Sequence, residues 1–321
     1  MLQALRFVRG SVSSSDIVPI LSSYLIKDGS VVGYNGRMSL GAPIDLTFET
    51  SVEGAKFYAA ILACKKETEI SMTEAGRLAV RSGGFRAYLR CFEDKHPARL
   101  HPIEDGITFV PPSDFLDTLQ ELRPFISEDA SRQWSVGLLF HDGHAYATNN
   151  IHIARRPISG MPDMRVNIPI FAVDEMMRIK EDPIEIRVAD KLMSVLYSGG
   201  RWLTTCLLSS DWPDVEKFFE EEVKYPVRIS QIIEAVLTIY PFLEADKRVV
   251  MEGKVISSPD SDKHKTGAAI DIDVYIPRAI FNADMLLKFK DLEGDIDLTK
   301  YPLPCPFRTS GVDGVMIGMR G

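Results

Sequence analysis

The chain is poor in cysteine and has no long apolar run. Its four cysteines, Cys64, Cys91, Cys206 and Cys305, lie far apart with no CxxC pair among 321 residues. That spacing argues against a zinc site or a disulfide framework and fits a reducing compartment. No uninterrupted apolar stretch is long enough to span a bilayer. The opening Met1-Leu2-Gln3-Ala4-Leu5-Arg6 lacks the basic–apolar–small order of a secretory signal. A cytoplasmic protein with no membrane partner is expected. Positive charge is also in deficit, 37 Lys and Arg against 45 Asp and Glu, for a net charge of −8. Attraction of the whole surface to nucleic acid is thereby excluded, so any such binding must be local. HExxH, GxSxG and phosphate-loop patterns are missing as well.

What is present is a repeated plan. Hydrophobic content of 45% and charged content of 26% are those of a soluble globular protein, and the length accommodates three ordinary domains. Tyr197-Ser198-Gly199-Gly200-Arg201 is a tight-turn signal between two strand-like runs, because glycine tolerates positive φ. Arg81-Ser82-Gly83-Gly84 precedes it and Thr309-Ser310-Gly311 follows it, with Ser82 to Ser198 spanning 116 residues and Ser198 to Ser310 spanning 112. A second marker keeps the same step. Asp28-Gly29 and Asp142-Gly143, 114 residues apart, each sit between apolar strand-like runs, the strongest short hairpin signal. Glu252-Gly253 is a weaker third copy. One domain plan used three times is expected, over 1–109, 110–220 and 221–321.

Each module reads as helices plus antiparallel strands, an α+β plan. Helical segments are expected at 2–9, 54–66, 113–126 (with Ser113 as N-cap), 171–180, 225–240 and 278–290. Ile229, Ile232, Ile233, Val236, Leu237 and Tyr240 form a clean amphipathic stripe. Strands are expected at 68–73, 77–82 and 85–92, around Asp142-Gly143 and at the end, Val315-Met316-Ile317. Residues 212–222 read as a linker and 257–266 as an exposed loop. The six helical segments sum to +5, leaving −13 for everything else. Basic charge is thus expected on helices, with strands and loops acidic.

Several stretches, in order and spacing, resemble the bacterial-type DNA sliding clamp, the beta subunit of DNA polymerase III. Val18-Pro19-Ile20-Leu21 through Asn35-Gly36-Arg37-Met38-Ser39-Leu40 resembles the opening of that family. Ala55-Lys56-Phe57 with the later Arg81-Ser82-Gly83 resembles the second helix and a hairpin of its first domain. Tyr146-Ala147-Thr148-Asn149-Asn150-Ile151-His152-Ile153-Ala154, Trp212-Pro213-Asp214, Phe281-Asn282 and the terminal Ile317-Gly318-Met319-Arg320-Gly321 each resemble a family stretch in turn. The chain is shorter and looser than typical members, as in a phage-encoded or otherwise divergent clamp.

The resemblance implies a head-to-tail homodimeric ring that threads duplex DNA without reading sequence, and that needs no cofactor. Two-fold doubling of a three-module chain closes such a ring and pairs exposed sheet edges. It also implies that the replicative polymerase and the clamp loader bind through short peptide motifs. The basic residues placed toward DNA are Arg6, Arg9, Lys56, Lys65, Lys66, Arg178, Lys180, Arg228, Lys288 and Lys290; a further basic position of the family falls near Ser15. A moderately basic lining attracts phosphates without reading bases. The family's partner-peptide pocket would be built from Ser135, Thr148, Asn150, Ile151, His152, Ile153, Pro213, Lys217, Phe218, Val315, Met316, Ile317, Gly318, Met319 and Arg320. Here Ser135, Asn150 and Ile151 stand for a larger apolar residue, a glycine and a histidine, while Gly318 and Gly321 replace proline and leucine. The subunit contact would use Phe85, Tyr88 and Leu89 against Leu237, Ile239 and Tyr240.

Two other readings compete. His141, His144 and His152 near the Asp142-Gly143 turn could form a metal or acid–base site, although a hairpin tip is a poor place for a desolvated one. The repeats could also build a structural or regulatory replication protein that does not thread DNA.

Overall fold

A computed structural model describes residues 1–13, 17–209, 211–259 and 267–320. Ser15, Gly321 and most of the expected loop at 257–266 lie outside the described residues. The helices are α1 (Leu2–Val8), α2 (Gly54–Ala63), α3 (Phe115–Leu122), α4 (Ile170–Ile179), α5 (Ile229–Ile239) and α6 (Ala283–Leu286). The first strands are β1 (Ser23–Lys27), β2 (Ser30–Tyr34), β3 (Met38–Pro43), β4 (Thr50–Glu53), β5 (Glu69–Met72), β6 (Leu78–Ser82), β7 (Phe85–Leu89), β8 (Cys91–Phe92) and β9 (Ile107–Phe109). Next come β10 (Gly137–His141), β11 (His144–Thr148), β12 (His152–Pro157), β13 (Val166–Pro169), β14 (Glu185–Ala189), β15 (Leu192–Tyr197) and β16 (Arg201–Cys206). The last are β17 (Val227–Arg228), β18 (Arg248–Ser257), β19 (Ala269–Asn282), β20 (Gly294–Ile296), β21 (Cys305–Thr309) and β22 (Asp313–Met316). The architecture is α+β, as expected.

Contacts divide the chain into two compact units. The first comprises Met1–Ser113 and Arg178–Leu207. Its nine-stranded sheet runs β8-β4-β1-β2-β3-β16-β15-β14-β9, and a separate three-stranded sheet runs β5-β6-β7. The large sheet exists because β3 pairs with β16, with Trp202 opposite Gly41 and Leu203 opposite Leu40. Its core buries Leu5, Phe7, Ile26, Leu40 and Phe57. Phe7 meets Tyr197 edge-on at 5.5 Å between ring centroids.

The second unit comprises Asp114–Met177 and Leu208–Gly321. Its eight-stranded sheet runs β13-β10-β11-β12-β22-β21-β20-β17, beside a two-stranded ribbon of β18 and β19. Here the join is β12 with β22, pairing His152 with Met316 and Ile153 with Val315. An aromatic nest of Phe125, Phe289 and Phe307 fills the core, with Phe289 and Phe307 only 4.8 Å apart.

The Asp-Gly turns form as expected. Asp28 and Gly29 have φ of 49° and 70°, and Asp142 and Gly143 have 47° and 67°, the double positive φ of a type I′ hairpin. Gly253 departs from the plan. It lies inside β18 at a register shift against β19, with φ of 65°, so it makes a bulge and not a turn.

Three further expectations change. Residues 278–282 belong to β19, so the last helix starts only at Ala283, capped by the Asn282 side chain accepting from the Met285 amide. Asp114, not Ser113, is the N-cap of α3. The stretch 212–222 is not a linker throughout, because Trp212 and Val215 are buried.

Candidate functional site

Strand register builds one face of the eight-stranded sheet in the second unit. Leu139 pairs with Tyr146, Tyr146 with Arg155, and Arg155 with Asp313. Thr148 pairs with Ile153, and Ile153 with Val315. Side-chain alternation puts Leu139, Tyr146, Thr148, Ile153, Arg155 and Val315 on one face, and His152 and Met316 on the other. The pocket residues carried over from the family therefore divide. His152 and Met316 are fully buried, and the His152 ring lies 5.3 Å from Phe125 and 5.2 Å from Phe289. Burial, with a further push from Lys288, drives its imidazole down to about 3, so it is neutral.

The β11–β12 turn is a hydrogen-bonded knot. Asn149 Oδ1 accepts from the amides of Ile151 and His152, and Thr148 Oγ1 donates to the His152 carbonyl at 2.7 Å. Asn150 holds φ at 69°, which explains why asparagine serves where the family has glycine. Its Oδ1 accepts from Arg132 at 2.6 Å. Ser135 is buried and donates to the Arg132 carbonyl. The end of the chain extends the sheet. The Ile317 amide donates to Ile151 O, and the Met319 amide donates to Ile280 O. Tyr301 Oη donates to Met319 O at 2.6 Å. A Cβ on Gly318 would come 2.6 Å from the Tyr301 ring and 2.8 Å from the Ile280 carbonyl, so the packing here leaves no room for a side chain. Ile317 and Arg320 are exposed.

Residues 212–219 fold over this face. Trp212 and Val215 pack with Leu139 and Tyr146, and Trp134, Ile153, Phe218 and Phe219 close around them. Trp134 and Trp212 meet edge-on at 5.1 Å. Tyr146 Oη donates to Glu216 at 2.7 Å, and burial, reinforced by Glu216, pushes that phenol well above its ordinary value. Arg155 bonds both Glu216 and Asp313, at 3.0 and 3.2 Å, while its guanidinium stacks 4.2 Å above Phe219. Two adjoining clefts remain. One of about 250 Å³ is lined by Leu139, His141, Tyr146, Arg165 and Trp212–Glu216, and one of about 580 Å³ by Trp134, Arg165, Asp211, Trp212 and Pro213. Of the carried-over residues only Pro213 lines them; exposed Lys217 lies over Phe218 at 5.4 Å. Sequence reasoning missed Trp134, Tyr146 and Trp212. The available signal was Trp212, Val215 and Phe218 recurring every third residue in a stretch too apolar for a linker.

The basic residues lie mostly beside the helices and not on them. The six helices as folded carry a net −3, against the +5 expected of the longer segments. Arg9, Lys65, Lys66, Lys180 and Lys290 fall just past helix ends and Arg228 just before α5. Cations after a helix end complement its dipole whatever else they do. Arg6, exposed on α1, and Lys288, half-buried in the turn after α6, complete the group. Lys56 pairs with Glu53 at 2.9 Å and Arg228 with Asp295 at 3.5 Å. Arg178 donates to the carbonyls of Arg6 and Phe7 at 3.2 and 2.7 Å, closing the C-terminal end of α1. Among the residues expected at a subunit contact, Leu89 and Ile239 belong to the chain's own core. Tyr88 and Leu237 are each 53% exposed. Phe85 is half-buried, and Tyr240 donates to Asp284 at 2.7 Å.

The histidine reading gains no geometry. His144 Nδ1 lies 2.9 Å from the Asp142 carbonyl at the hairpin tip, and His152 points into the core. Among the described residues no group of three or more His, Cys, Asp or Glu side chains is placed to hold a metal. None of their helices is long and apolar enough to cross a membrane.

Two antiparallel sheets, each assembled from early and late strands, with short helices along the whole length, define the fold of a bacterial DNA sliding clamp. No family model and no curated protein sequence matches the chain. Solved structures do. The beta chain of DNA polymerase III from Streptococcus pneumoniae superimposes with a TM-score of 0.83 at 16% identity, covering 100% of this chain and 97% of that one. A sliding clamp from Bartonella birtlesii, bound to griselimycin, gives 0.82 at 18% identity with the same coverage. The Helicobacter pylori beta clamp bound to a DNA ligase peptide gives 0.79 at 15% identity, again over 100% and 97% of the two chains. The likeness is one of fold.

Proposed function

We propose that the protein is a DNA polymerase processivity factor, a sliding clamp that encircles duplex DNA as a homodimer and tethers replication proteins through short peptides. The observation that carries this reading is the whole-length fold likeness to polymerase III beta subunits. The proteins so matched include one bound to a DNA ligase peptide. On this reading the chain is cytoplasmic, catalyses nothing and works by topological linkage.

Sheet accounting supports the ring. Three modules, 1–109, 110–220 and 221–321, need two joins within the chain, and β3–β16 and β12–β22 supply them. Two small sheets are left over, β5-β6-β7 from the first module and β18-β19 from the third. Among the described residues β7 pairs only with β6, and β18 only with β19. A chain joined head to tail to a second copy unites these two remnants into a third shared sheet and hides both edges. Tyr88 and Leu237 then become interfacial. Arg6, Arg9, Lys65, Lys66, Lys180, Lys288 and Lys290, with Lys56 and Arg228 each tied to a carboxylate, form the phosphate-facing group, suited to weak attraction that permits sliding. Half-buried Ile153 and Phe218, lying over buried Thr148 and Val315, form the peptide face, with flexible Met319 at its edge.

Two measurements test the proposal. Light scattering should return twice the 35.9 kDa chain mass, and loaded protein should persist on nicked circular DNA but run off linear DNA. A strict monomer, or equal retention on both templates, sinks it.

A further inference from the structure

The paired clefts beside Trp212 are not explained by the peptide face just described. Their walls are aromatic and their mouth is acidic. Trp212 is only 7% exposed, and its Nε1–H is buried with no hydrogen-bond partner. That atom has almost no accessible surface, so the indole serves the cleft as an apolar wall and not as a donor to its contents. The charged groups lining the two clefts are Asp211, Asp214 and Glu216 against Arg165. Glu216 is already held by Arg155, so Asp211 and Asp214 against Arg165 leave the cleft one negative charge in excess, which favours a cation. An aromatic wall with carboxylates at its rim fits a long basic side chain, whose stem lies on the rings while its head stays with the carboxylates. The same face already holds one cation in that way. Arg155 stacks at 4.2 Å on Phe219 and bonds Glu216 and Asp313.

We propose that the Trp134–Trp212 cleft is an accessory subsite that takes an arginine or lysine side chain of a bound partner peptide, next to the apolar anchor. The inference rests on the peptide-tethering function proposed above. It makes this clamp's preferred partners basic beside their anchor, with discrimination set by Asp211 and Asp214.

The test uses the full-length protein and three labelled peptides sharing one Leu-Phe anchor, flanked by three arginines, three glutamines or three glutamates. Anisotropy at low salt should rank them arginine, glutamine, glutamate, with about a tenfold step between the first two that shrinks in 0.5 M salt. The Asp211→Asn/Asp214→Asn variant keeps its amide oxygens available to Ser209 Oγ and the Glu216 amide, which these carboxylates now receive, so folding is preserved. It should lose most of the arginine advantage while binding the glutamine peptide as before. An unchanged arginine-to-glutamine ratio in the variant, or equal binding of all three peptides by the wild type, overturns the subsite alone. Absence of binding by all three removes both the subsite and the peptide-tethering function on which it stands.

Discussion

Gly41 and Trp202 face each other across the β3–β16 pair, and the indole fills the space that a side chain on Gly41 would need. Any Cβ there overlaps the Trp202 ring. The strand pairing that unites the nine-stranded sheet thus depends on a missing methyl group. Gly41→Ala is expected to destabilise the first unit by about 1–3 kcal/mol through overpacking. Gly84→Ala, where a Cβ meets nothing within 4 Å, should stay within about 0.5 kcal/mol of wild type. Urea midpoints at unchanged slope make the comparison.

Arg6 and Arg178 separate a binding role from a structural one. Arg178→Gln removes two charge-assisted bonds to the end of α1 and should cost about 1–3 kcal/mol. Arg6→Gln leaves the backbone carbonyl that Arg178 uses, so thermal stability should hold while retention on DNA falls and its salt dependence flattens. The reverse pattern would move the phosphate contact away from α1.

Legibility followed the strength of local constraint. Asp28-Gly29 and Asp142-Gly143 were readable because a two-residue hairpin demands positive φ twice. Glu252-Gly253 carried the same letters, yet β18 runs straight through it, because the β19 partner strand continues opposite and absorbs the extra residue as a bulge. The segment 278–282 has apolar residues that suit either period, and pairing with Arg248–Met251 decided for strand. Within the site, Tyr146 through Ala154 was legible as a stretch resembling the sliding-clamp family, but not as the turn between β11 and β12. Trp134 and Trp212 were not, since their meeting depends on tertiary folding across a separation of 78 positions. Helix ends mattered most for charge, as Lys65, Lys66 and Lys180 fall one to three residues beyond them.

Acid should loosen the second unit. The unfolded His152 imidazole takes its proton near 6.5, but burial, then Lys288, lowers it to about 3 in the fold. Between those values the unfolded chain binds the extra proton, so stability present above pH 6.5 is lost progressively as pH falls toward 3. The loss is on the order of a few kcal/mol. In His152→Phe this part of the pH profile should flatten, as read from urea unfolding at pH 7 and pH 4.5; an unchanged slope would assign the acid sensitivity elsewhere.

Ring closure should fail at two exposed side chains. Tyr88→Glu with Leu237→Glu places a carboxylate at two positions already open to solvent in the single chain, so folding should survive. Light scattering should then report one chain per particle, where the ring proposed above gives two, with an unaltered circular dichroism spectrum.

The chain has three tryptophans, and their placement makes the protein its own optical reporter. Trp134 and Trp212 form one edge-on pair beside the cleft, whereas Trp202 is held against Gly41 in the other unit. A guest settling by the pair changes the emission of two indoles and leaves the third as a built-in reference. Occupancy is therefore measurable without attaching a dye to the protein.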